Sequence, residues 1–303
     1  MNNLTVVLMC HNRTKSAVEA INSILNQDIK DFDFLISDNS TNNKLQELLN
    51  KDFPKIETIF CNPHHKTLFD HFNSLISKIK TKYIVLFHDD DVMHNNYVKR
   101  ILETFQDFPE ASAIATNGDF FEGGRVNKII LGGSQFKCEG ENLVFKDKKS
   151  LLERYLAWDS GGVAPFTSYA YNMSKINDLR ADFNRGRLYC DAFFVIDALD
   201  RGEIVWINEP LVSTRQHNEQ ISEGCGVRDY KSTITTIKKE FKGEISKYYI
   251  DEYRFRNLFY RSRKKNHFPF PVIKFFLKMI PLLFFRSKAF RKRVFFKLFG
   301  GNN

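Results

Sequence analysis

Three acids, Asp89, Asp90 and Asp91, follow directly on the apolar run Tyr83–Phe87 and His88. Adjacent carboxylates repel one another and cannot share an apolar environment without a counter-charge. Two chemistries answer that demand. A solvated turn would put the acids ahead of a helix starting near Asn96, where Asp is a favoured residue. Alternatively the acids seat a divalent cation, since hard oxygen ligands suit magnesium or manganese, which take one or two carboxylates and complete their shells with substrate phosphates. Two other apolar runs also end in polar groups: Leu4–Cys10 leads into His11-Asn12-Arg13, and Phe32–Ser37 into Asp38-Asn39-Ser40-Thr41. Asp38 on the same rim as the acid run favours the cation.

The elements that must bring these groups together are short runs rich in Val, Ile and Phe, at Leu4–Cys10, Phe32–Ser37, Ile56–Cys61 and Tyr83–Phe87, with helical patterns between them. Over 67–80, apolar residues at 68, 72, 75, 76 and 79 share one helix face. Ser16-Ala-Val-Glu19 has the form of a capping box. The order β-α-β-α-β-α-β predicts an α/β fold, a mainly parallel sheet covered by helices. Ligands of such sheets bind beyond the carboxyl ends of the strands, where all three polar clusters fall. No glycine-rich turn follows the first run, which argues against a dinucleotide fingerprint and a P-loop. A phosphate ligand would then need a metal to hold it.

The segments "LTVVLMCHNR", "FLISDNST" and "KYIVLFHDDDV", in this order and spacing, resemble the nucleotide-binding half of the family 2 glycosyltransferases, which have the GT-A fold. The resemblance covers residues 3–120 well and extends more weakly to about 220. It implies that an Asp-x-Asp-type motif holds Mn2+ or Mg2+ on the diphosphate of a nucleotide-sugar donor, most often a UDP-sugar. His11 takes the place of a tyrosine near the base, followed by Asn12 and Arg13. Asp38 matches the acid on the base or ribose, and Asn73 an asparagine ahead of the metal strand. Asp90 is the best-matched metal ligand, with Asp91 beside it and Asp89 on the donor. His88 replaces the usual first acid and is either a ligand or a packed strand-end residue, the second being preferred.

Beyond residue 120 the pattern is irregular, and "EGGRVNKIILGGSQF" reads as a hairpin or a mobile loop. "RLYCDAFFVIDALDRGEIVWINEPLVSTRQH" resembles the family's Glu-Asp segment, with Cys190 in place of the Glu and Asp191 retained. The resemblance implies that Asp191 is the catalytic base of an inverting enzyme; capping of the helix over 192–200 is the structural alternative. Arg215 and His217 match an Arg-x-His segment that closes the donor site, which assigns Arg215 to the donor and His217 to the metal.

The 303 residues, 43% hydrophobic, suffice for an ordinary core. Cysteines at 10, 61, 138, 190 and 225 form no CxxC pair, so neither a disulfide framework nor a zinc site is expected and a reducing cytoplasm fits best. The N-terminus lacks the pattern of a signal peptide. The net charge of +9 is uneven: the last acid is Glu252, and residues 253–303 hold 14 of the 45 Lys and Arg, leaving −5 on residues 1–252. Residues 268–299 carry ten Phe among those cations. Val272–Phe285, interrupted by Lys274, Lys278 and Pro281, is short of the roughly 20 apolar residues of a membrane span. The composition predicts segments lying in the plane of an anionic membrane surface, in preference to nucleic-acid binding or to docking on a partner.

These readings combine into three regions. Residues 1–120 form the nucleotide-sugar half and 121–225 the acceptor half of one GT-A domain; 226–303 form a helical, basic, membrane-interface region. The expected activity is metal-dependent, inverting transfer to a saccharide acceptor, lipid-linked in keeping with the tail, in bacterial surface polysaccharide synthesis at the inner face of the cell membrane. A non-catalytic adaptor on a degenerate fold is the alternative, followed by a sugar nucleotidyltransferase, which should carry a glycine-rich loop where "CHNRTKSAV" has none. Oligomeric state, sugar and linkage are left open.

Overall fold

The four apolar runs of the first hundred residues are strands. In the computed structural model, which describes residues 2–61, 64–65, 67–123, 129–157, 159–217, 227–264, 270–288 and 290–291, β1 (Leu4–Cys10) is buried at every position. That is the signature of a central parallel strand covered on both faces. Alternation continues through α1 (Thr14–Leu25), β2 (Asp33–Asp38), α2 (Lys44–Asp52), β3 (Glu57–Phe60), α3 (Leu68–Lys78) and β4 (Tyr83–His88). A short β5 (Val92–Met93) then precedes α4 (Tyr97–Asp107) and the long β6 (Ala111–Glu122). β7 (Ile129–Gly132) pairs antiparallel with β6, and residues 124–128 of the glycine-rich stretch lie outside the described residues. Next come β8 (Asn142–Phe145), α5 (Lys148–Leu156), a 3-10 turn at Phe166–Ser168, β9 (Ala170–Asn172), α6 (Met173–Ile176) and α7 (Cys190–Ala198). The chain continues through β10 (Glu203–Arg215), α8 (Val227–Glu240), α9 (Lys247–Lys264) and α10 (Phe270–Arg286).

The strands make one sheet in the order β3-β2-β1-β4-β9-β6-β10-β5, with β7 on β6 and β8 on β10. β3, β2, β1 and β4 are parallel, as are β6 and β10; β9 runs antiparallel between β4 and β6. Register sets the functional rim. Cys10 stands opposite Asp38 and Met9 opposite His88, so the residues that follow each strand emerge side by side. β10 bends where Pro210, which has no N–H for the ladder, lies at a register shift. Past the bend it pairs with β5, which carries the chain from Asp91 back along it.

One core lies on each face of the sheet. The first packs α1, α2 and α4 against Leu4, Val6 and Leu8 of β1; the second packs α3, α5 and α7 against Val7, Met9 and Trp206. Tyr230 and Ile237 of α8 and Tyr253 of α9 belong to that second core. Through these residues α8 and α9 pack on the same core as the sheet. α10 rests on α9 through a separate small cluster of Phe255, Phe276, Met279 and Leu283. Of the expected membrane-interface region 226–303, residues 226, 265–269, 289 and 292–303 lie outside the described residues. No helix among the described residues is long and apolar enough to cross a membrane.

The capping box is also elsewhere. α1 starts at Thr14 with no side-chain cap on Arg13, because Asn12 takes a left-handed conformation (φ 59°) that turns the chain directly into the helix. Glu19 is paired instead with Arg215. Thr67 and Asp70 form the reciprocal box, at the start of α3.

Candidate active site

The acid run turns away from the end of β4 and is held by cations from distant parts of the chain. Asp89 is buried, with one oxygen accepting the His11 N–H at 2.8 Å and the other Arg13 Nη1 at 2.9 Å. The same Arg13 nitrogen lies 3.1 Å from Asp90 Oδ2, which also bonds His217 Nε2 at 2.9 Å. Asp91 accepts the Arg215 N–H at 3.1 Å. Thr167 of the 3-10 turn accepts the His88 N–H at 3.1 Å and bonds Asp91 through its hydroxyl. Donor atoms of His88, Asp90 and Asp91 lie within 4.8 Å of one another. The two carboxylates are the hard oxygen ligands that a divalent cation of the manganese or magnesium class takes.

Electrostatics separate the three acids. Burial raises Asp89 to about 6 despite Arg13. Burial and the neighbouring Asp90 push Asp91 well above the carboxylate range. Burial acts on Asp90 in the same direction, but His88, Arg13 and His217 outweigh it and hold Asp90 low. Burial also lowers His88, which favours a neutral ring with a lone pair to offer.

The neighbouring rim is a polar lattice between the ends of β1 and β2. Asn12 donates its N–H to Ser40 Oγ at 2.8 Å, and its Oδ1 accepts from the Thr41 N–H at 3.0 Å and from Asn42 Nδ2 at 2.8 Å. Asp38 is buried and accepts the Ser40 N–H at 2.9 Å. The exposed His11 ring bonds the Asn39 carbonyl at 2.8 Å. The Asn39 amide in turn holds both backbone groups of His65.

Asp191 occupies the first turn of α7, where the Ala192 N–H donates to it at 2.9 Å. It lines a cavity of about 490 Å³ together with Tyr155, Val163, Phe166, Tyr253 and Arg256. Burial raises its carboxyl to about 6, against the pull of that hydrogen bond. Phe166 joins this cavity to the acid run, since its ring lies 6.1 Å from that of His88. Base candidate and acid run therefore flank a single three-residue turn.

A model of the glycosyl transferase family 2 matches residues 5–165, more than half of the chain, spanning the acid run and reaching the edge of this turn. The chain belongs to glycosyl transferase family 2. As a family 2 glycosyltransferase it uses a nucleotide-sugar donor, and its sheet and helices are those of the GT-A fold. The crystal structure of Staphylococcus aureus TarS 1–349 is similar in fold, with a TM-score of 0.59 at 15% identity over 87% of this chain and 73% of that one. TarS 1–349 in complex with UDP-GlcNAc gives 0.61 at 14%, over 85% and 73%. Its complex with UDP gives 0.57 at 15%, over 85% and 72%. No curated protein matches the chain in sequence.

Within the transferase fold, the sequence-derived site residues divide into two sets. His11, Asn12, Arg13, Asp38, Asp89, Asp90, Asp91, Arg215 and His217 assemble on one rim, while Asp191 stands across the turn. Asn73 serves another purpose: both ends of its amide are bonded to the backbone of Ala181, at 2.9 and 2.8 Å, bracing the loop ahead of α7. Arg215, expected on the donor, is a clamp. Its Nε donates to the Asp90 carbonyl at 3.0 Å, Nη2 to Glu19 at 2.9 Å and Nη1 to the Gly123 carbonyl, while Phe121 stacks beneath it. Arg13 is the guanidinium held against the acids. Sequence reasoning missed Phe166, Thr167 and His65; the first two lie in an irregular stretch with no local pattern to mark them. His64-His65 ahead of α3 was the available signal for the third.

Replacing Arg215 by Met should leave Glu19 and the acid run without their shared partner. The expected loss is about 2 kcal/mol, discounted from a fully buried pair because Glu19 is partly solvated. Thermal unfolding would read it as a Tm lower by roughly 4–8 °C, and an unchanged Tm would remove the clamp assignment.

Proposed function

We propose that this family 2 glycosyltransferase is metal-dependent and inverting, and moves a sugar from a UDP-sugar to a lipid-linked saccharide in bacterial surface polysaccharide synthesis at the inner face of the cell membrane. The observation that carries the chemistry is the placement of Asp191 and the acid run on two sides of the Phe166–Ser168 turn. Solved complexes of the similar TarS fold with UDP-GlcNAc and UDP support a UDP-sugar.

The acceptor hydroxyl enters the cavity and the Asp191 carboxylate takes its proton as the oxygen bonds to the anomeric carbon. The bond from that carbon to the diphosphate breaks on the opposite face, and configuration inverts. Bound at Asp90 and Asp91, a divalent cation would neutralise charge gathering on the leaving diphosphate. Arg13, fixed between Asp89 and Asp90, adds a positive charge beside that position. His11, Asp38 and the Asn12 lattice shape the rim for the nucleoside.

Membrane placement is supported by α10. Phe276, Met279 and Leu283 face α9, whereas Ile273, Leu277, Ile280 and Phe285 are exposed, Leu277 and Phe285 by 67% and 81%. Lys274 and Lys278 flank the exposed stripe, the composition of a helix that lies in an anionic interface.

Four outcomes test this reading. Asp191→Asn should keep donor binding and lower transfer by about 10²–10⁴-fold. In the wild type, kcat/KM should fall on acidification below about pH 6, since a base raised to that value is protonated and inactive beneath it. Asp90→Ala should abolish metal-dependent UDP binding in calorimetry; unchanged affinity would refute its place as ligand, and a wild type that turns over no nucleotide sugar would leave the adaptor reading. The triple change Ile273→Ser, Leu277→Ser, Ile280→Ser should release the protein from anionic vesicles while sparing transfer to a water-soluble acceptor. Continued sedimentation with vesicles would count against the interfacial helix.

A further inference from the structure

We infer that His88 is a nitrogen ligand of the cation site and tunes it toward a transition cation such as Mn2+ over Mg2+. The inference rests on the metal-dependent reading of this site and adds to it the identity of a ligand and the class of ion.

Geometry supplies the first half. His88 closes β4, where its register with Met9 fixes the backbone and Thr167 holds its N–H. Its ring is bordered by Phe166, and Nδ1 stands 3.8 Å from Asp91 Oδ2. That separation is too long for a hydrogen bond. It suits two ligands of one ion: with bonds of about 2.1 Å, neighbouring ligands of an octahedral shell lie about 3 Å apart and opposite ones about 4.2 Å. Donor atoms of His88, Asp90 and Asp91 fall within 4.8 Å of one another, so shifts of a few tenths of an ångström, about what a side-chain torsion supplies, bring all three onto one ion.

Ligand chemistry supplies the second half. Magnesium favours carboxylate, carbonyl and water oxygens, whereas imidazole suits transition cations. An imidazole at the end of β4 also carries no negative charge. The site thereby loses electrostatic attraction for any dication and retains a bond that magnesium uses poorly.

The test uses the full-length protein and metal alone. Mn2+ binding is followed by electron paramagnetic resonance, with Mg2+ as competitor and electron spin echo modulation as the reporter of coordinated 14N. The wild type should show 14N coupling. His88→Ala should lose it, and His88→Asp should lose it while lowering the Mn2+ over Mg2+ preference by roughly tenfold or more. Circular dichroism checks folding, and the Asp variant retains a ligand of comparable reach if the Ala variant is unstable. A 14N signal that survives in His88→Asp and disappears in His217→Ala would assign the nitrogen to His217 and overturn the inference, as would an unchanged metal preference. Loss of Mn2+ binding in Asp90→Ala together with 14N coupling that persists in the Mn2+ complex of His88→Ala would sink the His88 assignment while leaving the metal site; a wild type that binds neither ion would sink both.

Discussion

Compensation of the buried charge on Asp89–Asp91 is the constraint around which the catalytic half is arranged. Three acids in succession at a buried strand end cannot persist unless positive groups and N–H donors converge on them. Apart from His88, no neighbour in sequence supplies these. Arg13 comes from the start of α1, and Arg215 and His217 come from the end of β10, more than 120 residues away. Each contact depends on sheet order: β1 must lie beside β4, and β10 must bend at Pro210 so that its far end reaches β5. The sheet thus fixes the electrostatics of the rim, and the paired rim ties both ends of the sheet together.

The turn at Phe166–Ser168 links this rim to the acceptor side. Thr167 faces the acids, Phe166 faces both His88 and the cavity, and Ser168 exchanges hydrogen bonds with Thr116 of β6. With its hydroxyl and backbone so engaged, the turn is a rigid partition rather than a loose loop. On the proposed mechanism, a base on one side and a charged diphosphate on the other are the arrangement that in-line displacement requires. Neither half contains this geometry by itself.

The C-terminal helices extend the same logic outward. α9 has one side on the cavity, through Tyr253 and Arg256, and another on α10, through Phe255. One helix layer, about 8–10 Å between axes, therefore separates this cavity from α10. On the proposed function, an acceptor carried on a lipid would reach Asp191 without leaving a surface on which α10 lies.

The first hundred residues were legible because their information is local. Strands buried on both faces read as uninterrupted apolar runs, α3 shows its one-sided stripe, and polar groups at strand ends fall on the ligand-binding rim of any parallel sheet. The acid run, Asp38 and the basic, Phe-rich character of the tail were apparent for the same reason. Family resemblance extended this to Asp191 and His217, but only tertiary structure decided how the groups are used. Arg13, not Arg215, is the guanidinium beside Asp89 and Asp90 side chains; Asn73 braces a loop; α8 and α9 belong to the core; and His88 turns toward Asp90 and Asp91. The first two outcomes depend on residues that meet across 76 to 108 positions in the chain. Residue type determined what chemistry was available at each strand end, whereas register and strand order determined which charges share a desolvated space, and hence which of them can act.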